Sequence, residues 1–279
     1  MGLFASLQPP KCISVEPTQF FASIGLEIMN FLVKNLYIQK VCRVDTSIEP
    51  DLDTPCDDEK RALAFVSIVI NNSLVPAVAM SLIFILFASM YSDLAGKKRK
   101  IFIMIAQIGM ILWVVSAIVP TIFWSWSPMA GVIANVFLLD VCGGFLSLQN
   151  FIYAYVFDST SNENRLLKIT VLGIVHNLAT LIGKGSAGFL LRRYRFLYSF
   201  YVCLVLLIMA MISTIVFVRE ERGPTDRKVS LKQIFSFNEI GQIFKIILFP
   251  EKKKENVRCI WLLQIVSFLI FFSFFGKYS

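Results

Sequence analysis

The sequence predicts an all-α membrane protein, a bundle of six transmembrane helices followed by a seventh helix. The composition supports this fold class, because 56% of the 279 residues are hydrophobic and 26 are Phe. A soluble core of this chain length cannot hide so much apolar surface. Apolar runs long enough to cross a bilayer, which takes roughly 20 residues, also recur along the chain. They lie at 19–39, 62–90, 101–120, 128–156, 167–191, 196–218 and 258–276.

The basic loops predict how these helices are oriented. The stretch YSDLAGKKRK, residues 91–100, joins the second and third runs and ends in four consecutive basic residues. Because Lys and Arg in short loops favour the cytoplasmic side, this hairpin, the N-terminal tail and the long loop 219–257 are predicted to be cytoplasmic. This orientation would place three basic residues on the outside, namely Arg192, Arg193 and Arg195. The larger number of Lys and Arg residues in the predicted cytoplasmic loops outweighs them. The net charge of +8 is interpreted as a topology signal, which argues against nucleic-acid binding.

The cysteines and the single histidine suggest no metal site and no active site. Cys42 and Cys56 flank an acidic loop predicted to face an oxidising compartment, so they either form a disulfide with each other or pair with a segment outside this chain. His176 has no second metal ligand at a suitable spacing. No set of nucleophile, base and orienting residue is present. We therefore expect neither an enzyme nor a bound cofactor.

The hairpin at 91–100 also admits a mechanical role. Asp93 stands where the second run ends, and Gly96 permits a tight turn before Lys97 and Lys98. An acid at a helix end can pair with a cation of a neighbouring helix in one conformation and release it in another, so these residues are candidates for an inner latch. The alternative is that the cations only set topology and contact anionic lipid.

The segment DSTSNE, residues 158–163, allows two readings as well. Thr160 and Glu163 have capping-box spacing and predict the start of the fifth helix. Alternatively, Asp158 and Arg165 belong to the latch.

Three runs carry stripes of polar residues, interspersed with Gly and one Phe, at i, i+4, i+7 and i+11, which places each set on one helical face. They are Ser23, Glu27, Asn30 and Lys34 in the first run, Asp140, Gly144, Ser147 and Phe151 in the fourth, and Gly173, Asn177, Thr180 and Lys184 in the fifth. Ionisable residues facing lipid at mid-membrane cost about 3 kcal/mol or more each, so these faces should line a shared polar interior.

Two hypotheses follow for the charged members. In the first, Lys34 and Lys184, predicted to lie at similar depth, attract an anionic solute, and Asp140 is a proton or gating site. In the second, Asp140 pairs with Lys184, or Glu27 with Lys34 through Asn30, and the pairs only stabilise the bundle. The small residues of IGKGSAG, 182–188, are expected to let helices approach closely.

Several segments resemble a known family. SDLAGKK, residues 92–98, is similar to the loop between the second and third helices of major facilitator superfamily transporters. VEP at 15–17, LYIQKVC at 36–42 and the stretch 138–165 are similar to the branch with the proton-coupled folate transporter and the thymic and haem or organic-anion carriers. The position of that folate carrier's coupling Glu in the fifth helix is Gly173 here.

This resemblance implies an alternating-access transporter of a small, folate-like organic anion, with Asp93, Gly96, Lys97 and Lys98 in the inner latch and protons as a candidate coupling ion. It implies a cytoplasmic tail (1–18), a six-helix bundle (19–218), a cytoplasmic loop (219–257) and the first helix of an incomplete second half (258–279). The partners would be a C-terminal half or a second copy, in the plasma or an endolysosomal membrane. Two alternatives are a truncated, non-transporting membrane subunit and a seven-helix receptor.

Overall fold

The computed structural model describes residues 14–42, 56, 58–94, 96, 98–124 and 126–219. The chain divides into two units, Met1–Lys228 and Val229–Ser279, and all described residues belong to the first. Most of the predicted tail, the loop after Arg219 and the seventh helix at 258–276 lie outside the described residues.

Almost all of the described residues lie in helices. They are α1 Glu16–Cys42, α2 Glu59–Leu94, α3 Arg99–Ile122, α4 Pro128–Asn135, a π-helical segment Val136–Asp140, α5 Gly144–Ser159 and α6 Asn162–Phe217. Arg195 interrupts α6 with a φ of 59°, which divides it into a first arm, 162–194, and a second arm, 196–217. The predicted all-α membrane fold class is confirmed.

Four stretches of the described chain are long and apolar enough to cross a membrane. They are Glu59–Asp93, Arg99–Ile122, Gly131–Ser159 and Asn162–Phe217. A straight helix with the 56 residues of α6 would be about 84 Å long, far more than the roughly 30 Å of a bilayer core, and the interruption at Arg195 resolves this excess. The more polar α1 is not among the four, because its 27 residues include Glu16, Glu27, Lys34 and Lys40.

The second arm of α6 runs antiparallel to α1. The hydroxyl oxygens of Thr18 and Thr214 are 3.1 Å apart, near the start of one helix and the end of the other. Further along α1, a Cβ on Gly25 would lie 3.2 Å from the side chain of Leu207. Moving forward along α1 by seven residues therefore moves backward by seven along the second arm.

The first arm of α6 runs parallel to α1. Gln19 contacts His176, and Glu27 contacts Lys184, so equal steps along both helices keep them in register. Gly183 makes the close approach possible, since a Cβ there would lie 2.8 Å from the Cβ of Glu27 and 3.0 Å from the carbonyl oxygen of Ile24. The two arms are consequently antiparallel to each other, and both pack against α1.

An aromatic core joins α2, α3 and α5. The rings of Phe102 and Phe151 stack with centroids 5.0 Å apart, and Phe84 and Tyr91 of α2 meet Phe102 edge to face. Such pairs contribute about 0.5–1.5 kcal/mol each beyond the area they bury. We call the two ends of the bundle the Arg99 end, where α1, α3 and the first arm of α6 start, and the Lys40 end, where α1 and α3 finish.

Replacing Gly183 by Val should destabilise the packing of α1 on α6. The added side chain collides with Glu27 and with the backbone at Ile24, and overpacking of this kind costs about 1–3 kcal/mol. Gly185→Val is the matched control, because a Cβ at Gly185 meets nothing within 4 Å. Thermal unfolding of both purified variants in detergent checks this, and equal Tm values would contradict the assigned contact.

Candidate functional site

Polar side chains meet where α1 packs on the first arm of α6. We call this set the α1–α6 seam and define it as Gln19, Ser23 and Glu27 of α1 with His176 and Lys184 of α6. Seams of polar residues between membrane helices supply hydrogen bonds that lipid cannot, so they are either structural or functional. The polar stripes of the sequence predicted three of these five residues as members of interior faces, and left Gln19 and His176 out.

The imidazole of His176 is the centre of a small hydrogen-bond network. Its Nδ1 lies 2.9 Å from the hydroxyl of Ser23 and 3.1 Å from the amide nitrogen of Gln19. The same amide nitrogen donates to the Ser23 hydroxyl at 3.0 Å. On its other side the ring stacks on Phe145 of α5, with centroids 5.9 Å apart. Three helices thus position this ring.

The charged pair of the seam differs from both pairs expected from the sequence. Lys184 Nζ lies 3.8 Å from Glu27 Oε2, whereas the sequence suggested Asp140 with Lys184 or Glu27 with Lys34. The Lys184 side chain is 65% exposed and that of Glu27 is 19% exposed, so the ammonium keeps open directions around it. Asn30 is half-buried and Asn177 is exposed.

Lys34 does not lie level with Lys184. The register of α1 with the first arm places Glu27 beside Lys184, so Lys34 is seven residues, or about 10 Å, further toward the Lys40 end. It is exposed and forms no ion pair with any described residue. The expectation of equal depth was wrong because it counted positions within separate spans, while the real register is set by packing at Gly183.

The fourth span is broken beside its acid. The π-helical segment Val136–Asp140 is followed by a turn in which Gly143 and Gly144 both have positive φ, 85° and 58°. Asp140 Oδ1 accepts a hydrogen bond from the hydroxyl of Ser81 on α2 at 3.2 Å. Interruptions of this kind occur at membrane depth where backbone is buried in protein or faces a polar space, and they are frequent at functional sites.

At the Arg99 end, one guanidinium joins three helices. Arg99, the first residue of α3, donates from Nε to Asp158 Oδ2 of α5 at 3.0 Å and from Nη2 to Asp93 Oδ1 of α2. The Asp158 side chain is 23% exposed and that of Asp93 is 63% exposed, so water screens the Arg99–Asp158 pair less than the Arg99–Asp93 pair. The two acids of the predicted latch therefore meet the same cation, one that the sequence analysis had used only for topology.

The remaining predicted latch residues come from two parts of the chain, the turn before α3 and the start of α6. Gly96 has a φ of 84°, as the predicted tight turn requires, and Lys98 is the residue before α3; Lys97 lies outside the described residues. Arg165 lies over the Phe157 ring at 4.7 Å and donates to the Thr160 carbonyl oxygen at 3.5 Å. The predicted capping box is also wrong, because α6 starts after Ser161 and without a side-chain cap.

The Lys40 end contains a buried cation that the sequence analysis missed. Lys40 is 3% exposed and donates to the carbonyl oxygens of Phe123, Trp124 and Trp126 at 3.4, 2.9 and 3.0 Å. These acceptors follow the last turn of α3, where free carbonyls favour a positive charge. Two residues after Lys40, Cys42 forms a disulfide with Cys56. Of the two pairings that the sequence left open, the two cysteines therefore form the one with each other.

Lys40 could not be found from sequence patterns because its acceptors are backbone carbonyls, which any residue supplies. Other buried polar atoms keep no hydrogen-bond partner within the described part of the chain, among them Gln19 Oε1, Ser147 Oγ and Thr180 Oγ1. They lie on α1, α5 and the first arm of α6, the three elements that meet at His176. Among the described residues, no three His, Cys, Asp or Glu side chains are grouped as a metal site would need.

Replacing Arg99 by Gln should lower stability more than replacing Arg165 by Gln. The first change removes the cation shared by Asp93 and Asp158, which costs about 1.5–3 kcal/mol for the bond to the less exposed Asp158 and only about 0–1 kcal/mol for the exposed Asp93. The second removes one long hydrogen bond and a ring contact. Adding Asp158→Asn to Arg99→Gln should recover part of the loss, because it relieves repulsion between the carboxylates. Thermal unfolding tests this, and equal losses for the two single variants would contradict it.

Comparison with known proteins adds to this geometry. A search of curated proteins finds no match for the chain. The family model described as Major Facilitator Superfamily matches residues 62–279, which is more than half of the chain and begins in α2. Members of this family are membrane transporters of small solutes and not enzymes, which fits the expectation from the sequence. The chain belongs to the major facilitator superfamily.

Proposed function

We propose that this chain transports a small organic anion by alternating access, coupled to protons, and that Lys184 binds the anion. The open ammonium of Lys184 is the observation on which this proposal mainly depends. Its partner Glu27 is 3.8 Å away, at the outer limit of an ion pair, and the Lys184 side chain is 65% exposed. A solute carboxylate could therefore approach Lys184 without first breaking a tight pair. Folate-like anions are the class suggested by the resemblance of the stretch 138–165.

Exposed polar groups within the spans support a pathway beside these helices. Asn71 and Asn72 in the middle of α2 are exposed, as are Asn177 and Lys184 on the first arm of α6. Polar groups facing lipid are costly, so they need a polar partner beyond the described bundle. We propose that they face the solute path together with Asn30 and Lys34, and that a second set of helices forms the opposite wall.

That second set would come from a C-terminal half or from another copy of this chain. In this proposal, residues 19–218 are the first six-helix half, 1–18 are a tail, 219–257 connect the halves, and 258–279 begin the second half. Transporters of this type bind their solutes between two such halves near the middle of the membrane.

The two ends of the bundle support an orientation. Disulfides persist in oxidising compartments, so Cys42–Cys56 favours an exterior or lumenal Lys40 end. The basic residues beside Arg99 favour a cytoplasmic Arg99 end, and with it a cytoplasmic N-terminus. A plasma or endolysosomal membrane fits both.

The Arg99 end is proposed to be the inner latch. The bond from Arg99 to Asp158 joins α3 to α5, and its bond to Asp93 joins α3 to α2, so the latch fastens three spans at the cytoplasmic side. Gly96, Lys97 and Lys98 shape the adjoining turn. Releasing one carboxylate would let α2 or α5 move, and the break at Asp140 gives the fourth span a point at which to bend.

Uptake of labelled folate and a panel of organic anions tests this function, in cells expressing the full chain at acidic and neutral pH. Lys184→Met should reduce saturable uptake roughly tenfold or more, the effect of losing about 1.5–3 kcal/mol of charge-assisted binding. Lys168→Met is the control, because Lys168 lies on the same arm and outside the seam.

The double variant Glu27→Gln with Lys184→Met separates the two roles of this lysine. If Lys184 only neutralises Glu27, removing both charges should restore uptake; if it binds the anion, uptake stays low. Absence of uptake by the inserted wild-type chain would count against transport by this chain alone and favour a membrane subunit.

A further inference from the structure

We infer that His176 is a proton-binding site, and that its charge adds to the α1–α6 seam when the anion binds. The inference rests on the proposed function, since it names the group that takes up the coupling proton. His176 is the single histidine of the chain, and the mechanism so far assigns it no role.

The geometry around the ring fits a neutral imidazole with a free acceptor at Nδ1. The amide nitrogen of Gln19 has two hydrogens, so it can donate both to Ser23 at 3.0 Å and to Nδ1 at 3.1 Å. The Ser23 hydroxyl oxygen lies 2.9 Å from Nδ1 and can donate to it as well. In the inferred arrangement Nδ1 accepts from both neighbours, and the proton of the neutral ring lies on Nε2.

The same three side chains can also accommodate a protonated ring. Gln19 Oε1 is buried and has no hydrogen-bond partner among the described residues. Turning the Gln19 amide over would exchange its nitrogen for this oxygen, which can accept from Nδ1–H. The Ser23 hydroxyl can rotate in the same way. Proton uptake therefore needs only side-chain rotation, and Nδ1 keeps a hydrogen-bond partner in both states of the ring.

The charged groups on the helices around His176 either contact other residues or lie far from the imidazole ring. Glu27 pairs with Lys184, Asp140 accepts from Ser81, and Glu16 accepts from the backbone nitrogen of Ser14. On its own arm, Lys168 and Lys184 each lie eight residues away, roughly 12 Å along the helix. None of these groups contacts the ring. None of them therefore serves the ring as a fixed ion-pair partner.

Protonation changes the charge of the seam. With a neutral ring, Glu27 and Lys184 cancel and the seam has no net charge; with a protonated ring the seam becomes positive. A positive seam favours an anion beside Lys184, particularly where low dielectric strengthens electrostatic interactions. A proton on the His176 ring and an anion beside Lys184 would then bind together, with one proton for each imidazole ring.

Nitrogen NMR of the purified full chain tests the site directly. Labelling histidine with ¹⁵N gives signals from one imidazole, provided that the purification tag contains no histidine. Between about pH 8 and pH 5, the range in which histidines usually titrate, Nδ1 should change from an unprotonated acceptor to an N–H. A ring whose signals stay unchanged over this range, or whose neutral form is protonated at Nδ1, would overturn the inference.

Two variants complete the test. In Gln19→Leu with Ser23→Ala the ring loses both neighbours, so its neutral form should become a mixture of tautomers; an unchanged tautomer would overturn the proposed network. His176→Gln should make the ratio of uptake at acidic and neutral pH fall to about one. Titration without any uptake would count against the proposed transport and leave the proton site standing, whereas uptake without titration would do the reverse.

Discussion

The polar residues of α1 have no acceptable neighbour in lipid, and this constraint determines how the described bundle is arranged. Thr18, Gln19, Ser23 and Glu27 all find partners on α6, and Gly25 and Gly183 allow the backbones to come close enough for those contacts. The two arms of α6 therefore pack on either side of α1. The apolar surface of α1 alone could not specify this arrangement, because lipid tails satisfy Leu and Ile as well as protein does.

The bundle is stabilised differently at its two ends. At the Arg99 end a cation meets two carboxylates, and such pairs can exchange one partner for another as helices move. At the Lys40 end a cation meets three carbonyls, and a covalent Cys42–Cys56 link lies two residues further along the chain. The physical contrast suggests that rearrangement is easier at the Arg99 end, where the proposed latch lies.

The sequence predicted the helices well because transmembrane length and apolarity are local properties. Helical periodicity is local too, and of the residues that it placed on interior faces Ser23 is buried and Glu27 half-buried, whereas Lys34 and Lys184 are exposed. It could not predict that Glu27 meets Lys184, because pairing depends on the register between helices distant in the chain. Nor could it select Arg99 from a run of four cations, or find Lys40, whose acceptors are backbone carbonyls that any residue provides.

The long sequence separation of the contacts of α1 has a consequence for synthesis. Thr18 and its partner Thr214 are 196 residues apart in the chain, and Gln19 and His176 are 157 residues apart. At about 5–20 residues per second, translation needs on the order of 10 to 40 seconds to supply the more distant partner. During that time α1 carries acids and amides that lipid accommodates poorly. This helix therefore reaches its final environment only once α6 has been made.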